Sequence, residues 1–273
     1  MTLRDKIIDA LIKAKIPSPR LEADIIIKYA APMYPQITIG EEKRAIDFLK
    51  RRVNHEPLDK IIGQKEFYKF IFEVNRDVLS PRPDTEILVE NALELLPADE
   101  PCRILDLGTG SGCILLSLLK ERPKAKGAGV DISKKALEVA KKNAQNLGIQ
   151  NQVSFINKSW SDKGFVSDKF DMIVTNPPYI PSAEIQTLEE EVKHYDPLTA
   201  LDGGQDGLQC YRDIAMIAPD LLQDKGYILL EVGYNQAEAV ADILMTQRMK
   251  LIKIVKDLSG INRCIILQKL VAK

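Results

Sequence analysis

The chain has 273 residues, enough to bury a substantial core and to divide into one large and one small domain. A formal net charge of −1 and a pI near 6.2 supply no strong positive field, which disfavours an unaided nucleic-acid substrate. Four cysteines without a C-x-x-C pair and two distant histidines, His55 and His194, make no case for a metal site; with no signal peptide or long apolar run, the chain reads as soluble and cytoplasmic, its cysteines free thiols.

Apolar residues recur at helical spacing through the first part of the chain. Leu3, Ile7, Ile8, Leu11 and Ile12 form one stripe, Leu21, Ile25, Ile26 and Tyr29 a second, and Ala45, Phe48, Leu49 and Val53 a third. Three short helices ending near Glu56 predict a small bundle. Lys43, Arg44, Lys50, Arg51 and Arg52 form a basic cluster, read first as a solvated helix face and second as a docking surface for an acidic or RNA-bound partner. The aromatic run Phe67 to Val74 suits a β-hairpin, and Pro81-Arg82-Pro83 predicts an irregular entry to the next domain.

The strand Cys102 to Leu107 then runs into Gly108-Thr109-Gly110-Ser111-Gly112 and an apolar helix from Cys113 to Lys120. A glycine loop between strand and helix lets the backbone approach a ligand closely. Dinucleotide folds use G-x-G-x-x-G around a pyrophosphate. Here the spacing is Asp-x-Gly-x-Gly-x-Gly, tighter and led by Asp106, which repels a pyrophosphate but accepts from an ammonium group. That favours S-adenosyl-L-methionine (SAM) over NAD. A second strand, Ala125 to Val130, ends in Asp131, placed to accept from ribose hydroxyls. Ser133 starts a helix with Ala136, Leu137, Ala140, Ala144 and Leu147 on one face, and Val153 to Ile156 is a third strand, followed by Ser159-Trp160. The fourth strand, Phe170 to Thr175, delivers Asn176-Pro177-Pro178-Tyr179. Two prolines stiffen this loop, and Pro177 pushes Asn176 into an extended conformation. The Asn176 side-chain oxygen and the Pro177 carbonyl can accept the two hydrogens of a planar –NH2 group, with Tyr179 against its plane. Alone, each motif also fits an ordinary turn or another nucleotide site. Together, in this order at successive strand ends, they predict a SAM-dependent N-methyltransferase. A long connection from about Pro181 to Gly207 suits a lid, and strands at Gly226 to Val232, Leu251 to Val255 and Cys264 to Leu267 complete the sheet.

Several segments together resemble the bacterial release-factor glutamine methyltransferases: Ser80-Pro81-Arg82-Pro83-Asp84-Thr85-Glu86, Asp106 through Gly112, Asn176 through Tyr179, Tyr195 through Leu201, and Leu230-Glu231-Val232-Gly233 with Gln236. The resemblance covers nearly the whole chain. It implies an α/β fold of the SAM-dependent methyltransferase type, Rossmann-like, with a seven-stranded mostly parallel sheet and a small helical N-terminal domain. The expected division is 1–63 for the helical partner-binding domain, 64–80 for a β-hairpin linker and 81–273 for the methyltransferase domain. The implied reaction moves a methyl group from SAM to the glutamine side-chain nitrogen of the Gly-Gly-Gln motif in class I peptide chain release factors. The products are N5-methylglutamine and S-adenosyl-L-homocysteine, and the enzyme serves translation termination as a cytoplasmic monomer without metal, membrane or direct nucleic-acid contact. By matching motifs, Gly108, Thr109, Gly110, Ser111, Gly112, Asp131, Trp160 and Asn176 would contact SAM. Asn176, Pro177, Pro178 and Tyr179 would hold the glutamine, with Asn176 and Pro177 catalytic. Ser159 stands where related sequences often carry an acid for the adenine amino group, and its hydroxyl is a weaker acceptor. Asp202-Gly203-Gly204-Gln205-Asp206-Gly207 contains the substrate tripeptide itself, read as a glycine-rich turn rather than a self-methylation site.

Two alternatives stay open on the residues alone. One is the same chemistry on an exocyclic nucleobase amino group, which shares the Asn-Pro-Pro-Tyr loop but calls for a basic groove. The other is a SAM-binding regulatory protein without turnover, which would tolerate losses in the amine holder.

Overall fold

A computed structural model describes residues 2–271 apart from Met33 and Lys163. The chain opens with α1 (Leu3–Lys13), α2 (Pro19–Ala30), α3 (Ile39–Val53) and a short α4 (Leu58–Ile62). Capping boxes start α1 and α3: Thr2 and Thr38 accept from the backbone N–H of Asp5 and Glu41, whose carboxylates accept in return. The predicted stripes close over a core of Ile7, Leu11, Ala23, Ile26, Ala30 and Ala45. The basic cluster of α3 divides. Lys43, Arg44 and Lys50 are exposed, whereas Arg51 pairs with Glu56 and Arg52 is buried between Glu22 and Glu191. Arg52 is therefore an internal tie and does not belong to a solvated face.

The hairpin follows as β1 (Gln64–Phe67) and β2 (Phe70–Glu73), turning at Tyr68-Lys69. The proline-rich entry is less irregular than its composition predicts. Pro83 opens a single 3-10 turn, Pro83–Thr85, because proline's fixed φ is compatible with a first helical position. It leads into α5 (Glu86–Leu95). Next come β3 (Arg103–Leu107), α6 (Cys113–Glu121), β4 (Lys126–Asp131), α7 (Lys134–Asn146), β5 (Val153–Asn157) and β6 (Phe170–Thr175). The 181–207 connection holds a 3-10 segment at Ser182–Thr187, α8 (Glu190–Tyr195) and another 3-10 turn at Leu198–Ala200. The chain finishes with α9 (Gln209–Leu221), β7 (Leu222–Glu231), α10 (Ala237–Met245), β8 (Met249–Lys256) and β9 (Asn262–Lys269).

Seven strands form one sheet in the order β5-β4-β3-β6-β7-β9-β8. Six run in one direction, and β9 alone lies antiparallel, to both β7 and β8. Both faces are covered, so the central strands are largely apolar, as buried parallel strands are, with Asp106 of β3 a buried exception. Along β3, Ile104 faces α5 and α6 while Leu105 and Leu107 face α9 and α10; Met172 and Val174 against Ile173 repeat the alternation in β6. The strand order reverses beside β3: β4 and β5 build outward on one side, and β6 on the other. Open α/β sheets bind ligands at the C-terminal strand ends around such a reversal. No helix among the described residues is long and apolar enough to cross a membrane.

Candidate active site

A cavity of about 560 Å³ opens at that position. Gly108 and Gly110 after β3, Asp131 at the end of β4, Ser159 and Trp160 after β5, and Asn176 and Pro178 after β6 line it. Val78 and Leu79 wall one flank, and Pro197 through Ala200 of the 181–207 connection wall another. A hollow of about 630 Å³ lies at the opposite edge, among Arg103, Lys126, Val153 and Asp171 at the strands' N-terminal ends. None of the motif residues reaches it.

The glycine loop is folded on itself. Gly108 and Thr109 N–H donate to the Val130 carbonyl, Gly112 N–H to the Thr109 carbonyl, and Gly110 N–H to Asp131 Oδ2 at 2.9 Å. A phosphate cradle needs such N–H groups pointing at its ligand. With four of them spent internally, the loop is a poor pyrophosphate site. Thr109, Ser111 and Gly112 shape the loop and do not line the cavity. Thr109 Oγ1 donates to Asp106 Oδ2 at 2.6 Å, the Ser111 carbonyl accepts from Asn143, and Gly112 caps α6 at φ +81°.

Beneath the loop, Asp106 is fully buried, and its Oδ1 has no hydrogen-bond partner. Burial, and secondarily Asp131, pushes its carboxyl up to about 7, although Thr109 opposes the shift. A buried acidic acceptor without a partner fits a cationic ligand and opposes an anionic one. Asp131 is held by the N–H groups of Gly110 and Ser133, one on each oxygen, and each oxygen keeps a lone pair for a hydroxyl. Trp160 packs on the core and also closes over the loop: a Cβ on Gly108 would sit 3.4 Å from its Cζ3. The lining thus suits SAM, with Asp131 for ribose and Trp160 as a flat aromatic face, and with Asp106 buried beneath the glycine loop and outside the lining. Ser159 Oγ accepts from Ser161 N–H and Ser159 N–H donates to Asp162, so this turn is anchored without an acid at position 159.

Asn176 is half-buried, Pro177 is buried, and Pro178 and Tyr179 are partly exposed. Asn176 and Pro178 line the cavity, whereas the Pro177 and Tyr179 side chains do not. Burial raises the Tyr179 phenol to about 12, so it stays neutral. The loop is braced from below. Gln236 Nε2 donates to the Tyr179 carbonyl at 2.9 Å, and the strip Leu201–Gly204 exchanges backbone hydrogen bonds with Ile180 and Ser182. A Cβ on Gly203 would lie 2.7 Å from Tyr179 Cα, so this glycine permits the close approach and Gln205 rides exposed on the turn.

Three contributors carried no predicted role. Thr85 and Glu231 sit buried against Asn176: Thr85 Oγ1 donates to Glu231 Oε2 at 2.5 Å, and Asn176 Nδ2 donates to Thr85 Oγ1 at 3.3 Å. Burial lifts Glu231 to about 7, while Thr85 and Arg263 hold it down. Lys60 is the third. Its buried ammonium donates to the Val78 carbonyl, the Tyr195 carbonyl and Asp196, tying both flanks of the cavity together. The only sequence trace of the Thr85 and Glu231 roles is their place inside the motif segments 80–86 and 230–233; Lys60 lies outside all of them. Among the described residues no cluster of His, Cys, Asp and Glu is arranged to hold a metal ion, and all four cysteines are free.

A sequence family described as a methyltransferase domain matches residues 98–268. The chain is 40% identical over 267 residues to a release factor glutamine methyltransferase of Caulobacter vibrioides, covering 94% of this chain and 92% of that protein. It is 42% identical to the protein of the same name from Rhodospirillum rubrum, covering 94% of this chain and 81% of that one. The crystal structure of a methyltransferase from Pyrococcus furiosus shares the fold, with a TM-score of 0.56 at 16% identity over 82% of this chain and 99% of that one. The glycine loop, the planar-amine holder and similarity along almost the full length agree, and the chain belongs to the release factor glutamine methyltransferase family.

Proposed function

We propose that this enzyme transfers a methyl group from SAM to the side-chain nitrogen of the glutamine in the Gly-Gly-Gln motif of class I peptide chain release factors. The observation that carries the reading is Asn176 on a doubly proline-stiffened loop at the wall of a cavity that Asp131 and Trp160 also line, with the unpartnered acid Asp106 buried beneath its glycine loop. Gly108, Gly110, Asp131 and Trp160 would hold the donor, with Thr109, Ser111 and Gly112 setting the loop's shape. When bound, SAM supplies a methyl group activated on a sulfonium and leaves as S-adenosyl-L-homocysteine.

An amide nitrogen is a poor nucleophile because its lone pair is delocalised. Neither histidine lies in the site motifs, so positioning and electrostatics carry the reaction. The Asn176 oxygen and the Pro177 carbonyl accept the two amide hydrogens and fix the nitrogen's direction. As the new N–C bond forms, positive charge develops on that nitrogen, and preorganised acceptors stabilise it. Alignment of two reactants can supply roughly 7–11 kcal/mol of a barrier. The surplus amide proton then passes to solvent. The helical segment 1–63 would contribute docking surface for the release factor, with the protein acting as a cytoplasmic monomer.

The test is transfer of labelled methyl from SAM to purified release factor, to its Gly-Gly-Ala variant, and to ribosomal RNA and DNA in parallel. Label on the native factor alone supports the reading. Label on nucleic acid would replace it with the nucleobase alternative.

A further inference from the structure

An asparagine amide can be seated two ways, and a flip exchanges a donor for an acceptor at the same point. Only one seating of Asn176 can receive the hydrogens of a substrate –NH2. We propose that Thr85 and Glu231 are positioning residues that lock Asn176 in that seating, with its oxygen toward the substrate; this deepens the proposed function and rests on it.

The polarity of the chain of contacts decides the seating. Burial lifts Glu231 to about 7, so above that pH it is ionised and can only accept. It is 2% exposed and stands 2.5 Å from Thr85 Oγ1, itself 3% exposed. The single hydroxyl proton of Thr85 is therefore committed to Glu231, which leaves Thr85 only lone pairs to offer Asn176. Nδ2 must face it, at 3.3 Å. A flipped amide would set oxygen against oxygen in a buried place, where an unmade hydrogen bond is costly. With Nδ2 engaged, Oδ1 points to the other side of the amide carbon. Among the described residues Oδ1 accepts no hydrogen bond, so it stays available.

The backbone makes this arrangement rigid. Thr175 pairs with Leu230 across β6 and β7, so Asn176 and Glu231 leave adjacent strands at the same level. Thr85 comes from the 3-10 turn that follows Pro81-Arg82-Pro83. The Tyr211 hydroxyl donates to the Glu231 carbonyl at 2.9 Å and pins that strand end. Two family-like segments of previously unassigned role, 80–86 and 230–233, thereby meet at one amide.

The test compares Thr85→Val, Thr85→Ser and Glu231→Gln with wild type on purified release factor. Thr85→Val keeps the shape and removes the hydroxyl. It should lower kcat about 10–100-fold, the range that supporting residues command elsewhere, with the SAM dissociation constant within a few-fold of wild type. Thr85→Ser should restore most of kcat. Glu231→Gln lets the partner donate as well as accept, and should fall between them; it serves as the test if Thr85→Val does not fold. Binding gives the signature that packing alone would not. A Gly-Gly-Glu release factor presents only acceptors, so wild type should bind it more weakly than Gly-Gly-Gln, and Thr85→Val should narrow that ratio. Wild-type kcat in Thr85→Val, equal losses in the valine and serine variants, or an unchanged binding ratio would overturn the proposal. Absence of wild-type transfer to the glutamine would instead defeat the functional reading itself.

Discussion

Asn176 and Asp106 are the two side chains whose chemistry can be tested singly. Asn176→Ala removes one of two acceptors for the amide and leaves the glycine loop intact. Loss of one preorganised polar group in a site of this kind costs about 10²–10³ in kcat, and that range is expected, with SAM affinity reduced far less. Single-turnover transfer and equilibrium binding measured on the same variant separate the two. Asp106 makes a pH prediction. Its folded-state value of about 7 lies above the ordinary carboxyl value near 4, so the folded state favours the protonated form. The stability tied to that proton is fully present below about pH 4 and is lost as pH rises through about 7. The thermal midpoint of the ligand-free protein should therefore fall between pH 5 and pH 8. Asp106→Asn should flatten part of that fall, while Glu231, shifted the same way, retains the rest. A cationic ligand prefers the ionised acid, so stabilisation by SAM should grow over the same interval. A midpoint that rises with pH across this range would contradict the assignment.

At the scale of elements, one buried tie centres on Lys60 of α4. Lys60 and Asp196 have side chains only 2% exposed, and Arg82 approaches the second Asp196 oxygen at 2.9 Å. Removing one partner of a buried pair leaves a stranded charge and costs about 3–5 kcal/mol. Asp196→Ala should destabilise by that order in urea unfolding. It should also weaken SAM binding, because Pro197 through Ala200, next in the chain, form a wall of the donor cavity. The double variant with Lys60→Met should cost less than the two single changes summed. Gly112 marks the other vulnerable junction. It holds φ +81°, and an added Cβ would lie 2.8 Å from Leu116 Cδ1. Left-handed backbone costs about 1–2 kcal/mol for an L side chain, and overpacking a similar amount or more. Gly112→Ala should therefore lose about 2–4 kcal/mol, read from the shift of the urea midpoint.

Over the whole molecule, charge distinguishes a protein substrate from a nucleic-acid one. The net charge is −1, and two of the five clustered basic residues of α3 are paired within the chain. A protein neutralising six to ten phosphates loses about 10³–10⁵ in affinity between 50 and 200 mM salt. Here kcat/KM on the release factor should change by less than about tenfold over that range, measured by methyl transfer at each salt concentration. The helical bundle also closes the catalytic architecture from outside. Arg52 reaches Glu191 on α8, and the Tyr195 hydroxyl reaches the Asn54 carbonyl, so the 181–207 connection is fastened to the first helices.

What the sequence by itself determined lies in local rules. The helical stripes of the first segment, the Asp-x-Gly-x-Gly-x-Gly loop and the strand ending at Asn-Pro-Pro-Tyr depend on periodicity, glycine freedom and proline stiffness, which act within a few residues. They suffice for an α/β nucleotide-type site with a planar-amine holder. Tertiary structure alone decided which buried groups meet. Lys60 and Asp196 are 136 positions apart, and Thr85 and Glu231 are 146 apart. Nothing local marks Thr85 as a donor to Glu231, or Arg52 as a buried tie rather than one more surface cation. Which N–H groups of the glycine loop remain for a ligand was equally invisible, because their partners, Val130 and Asp131, arrive with the neighbouring strand. Hydrogen-bond polarity passes through contacts that folding creates, and through them the orientation of Asn176 is set.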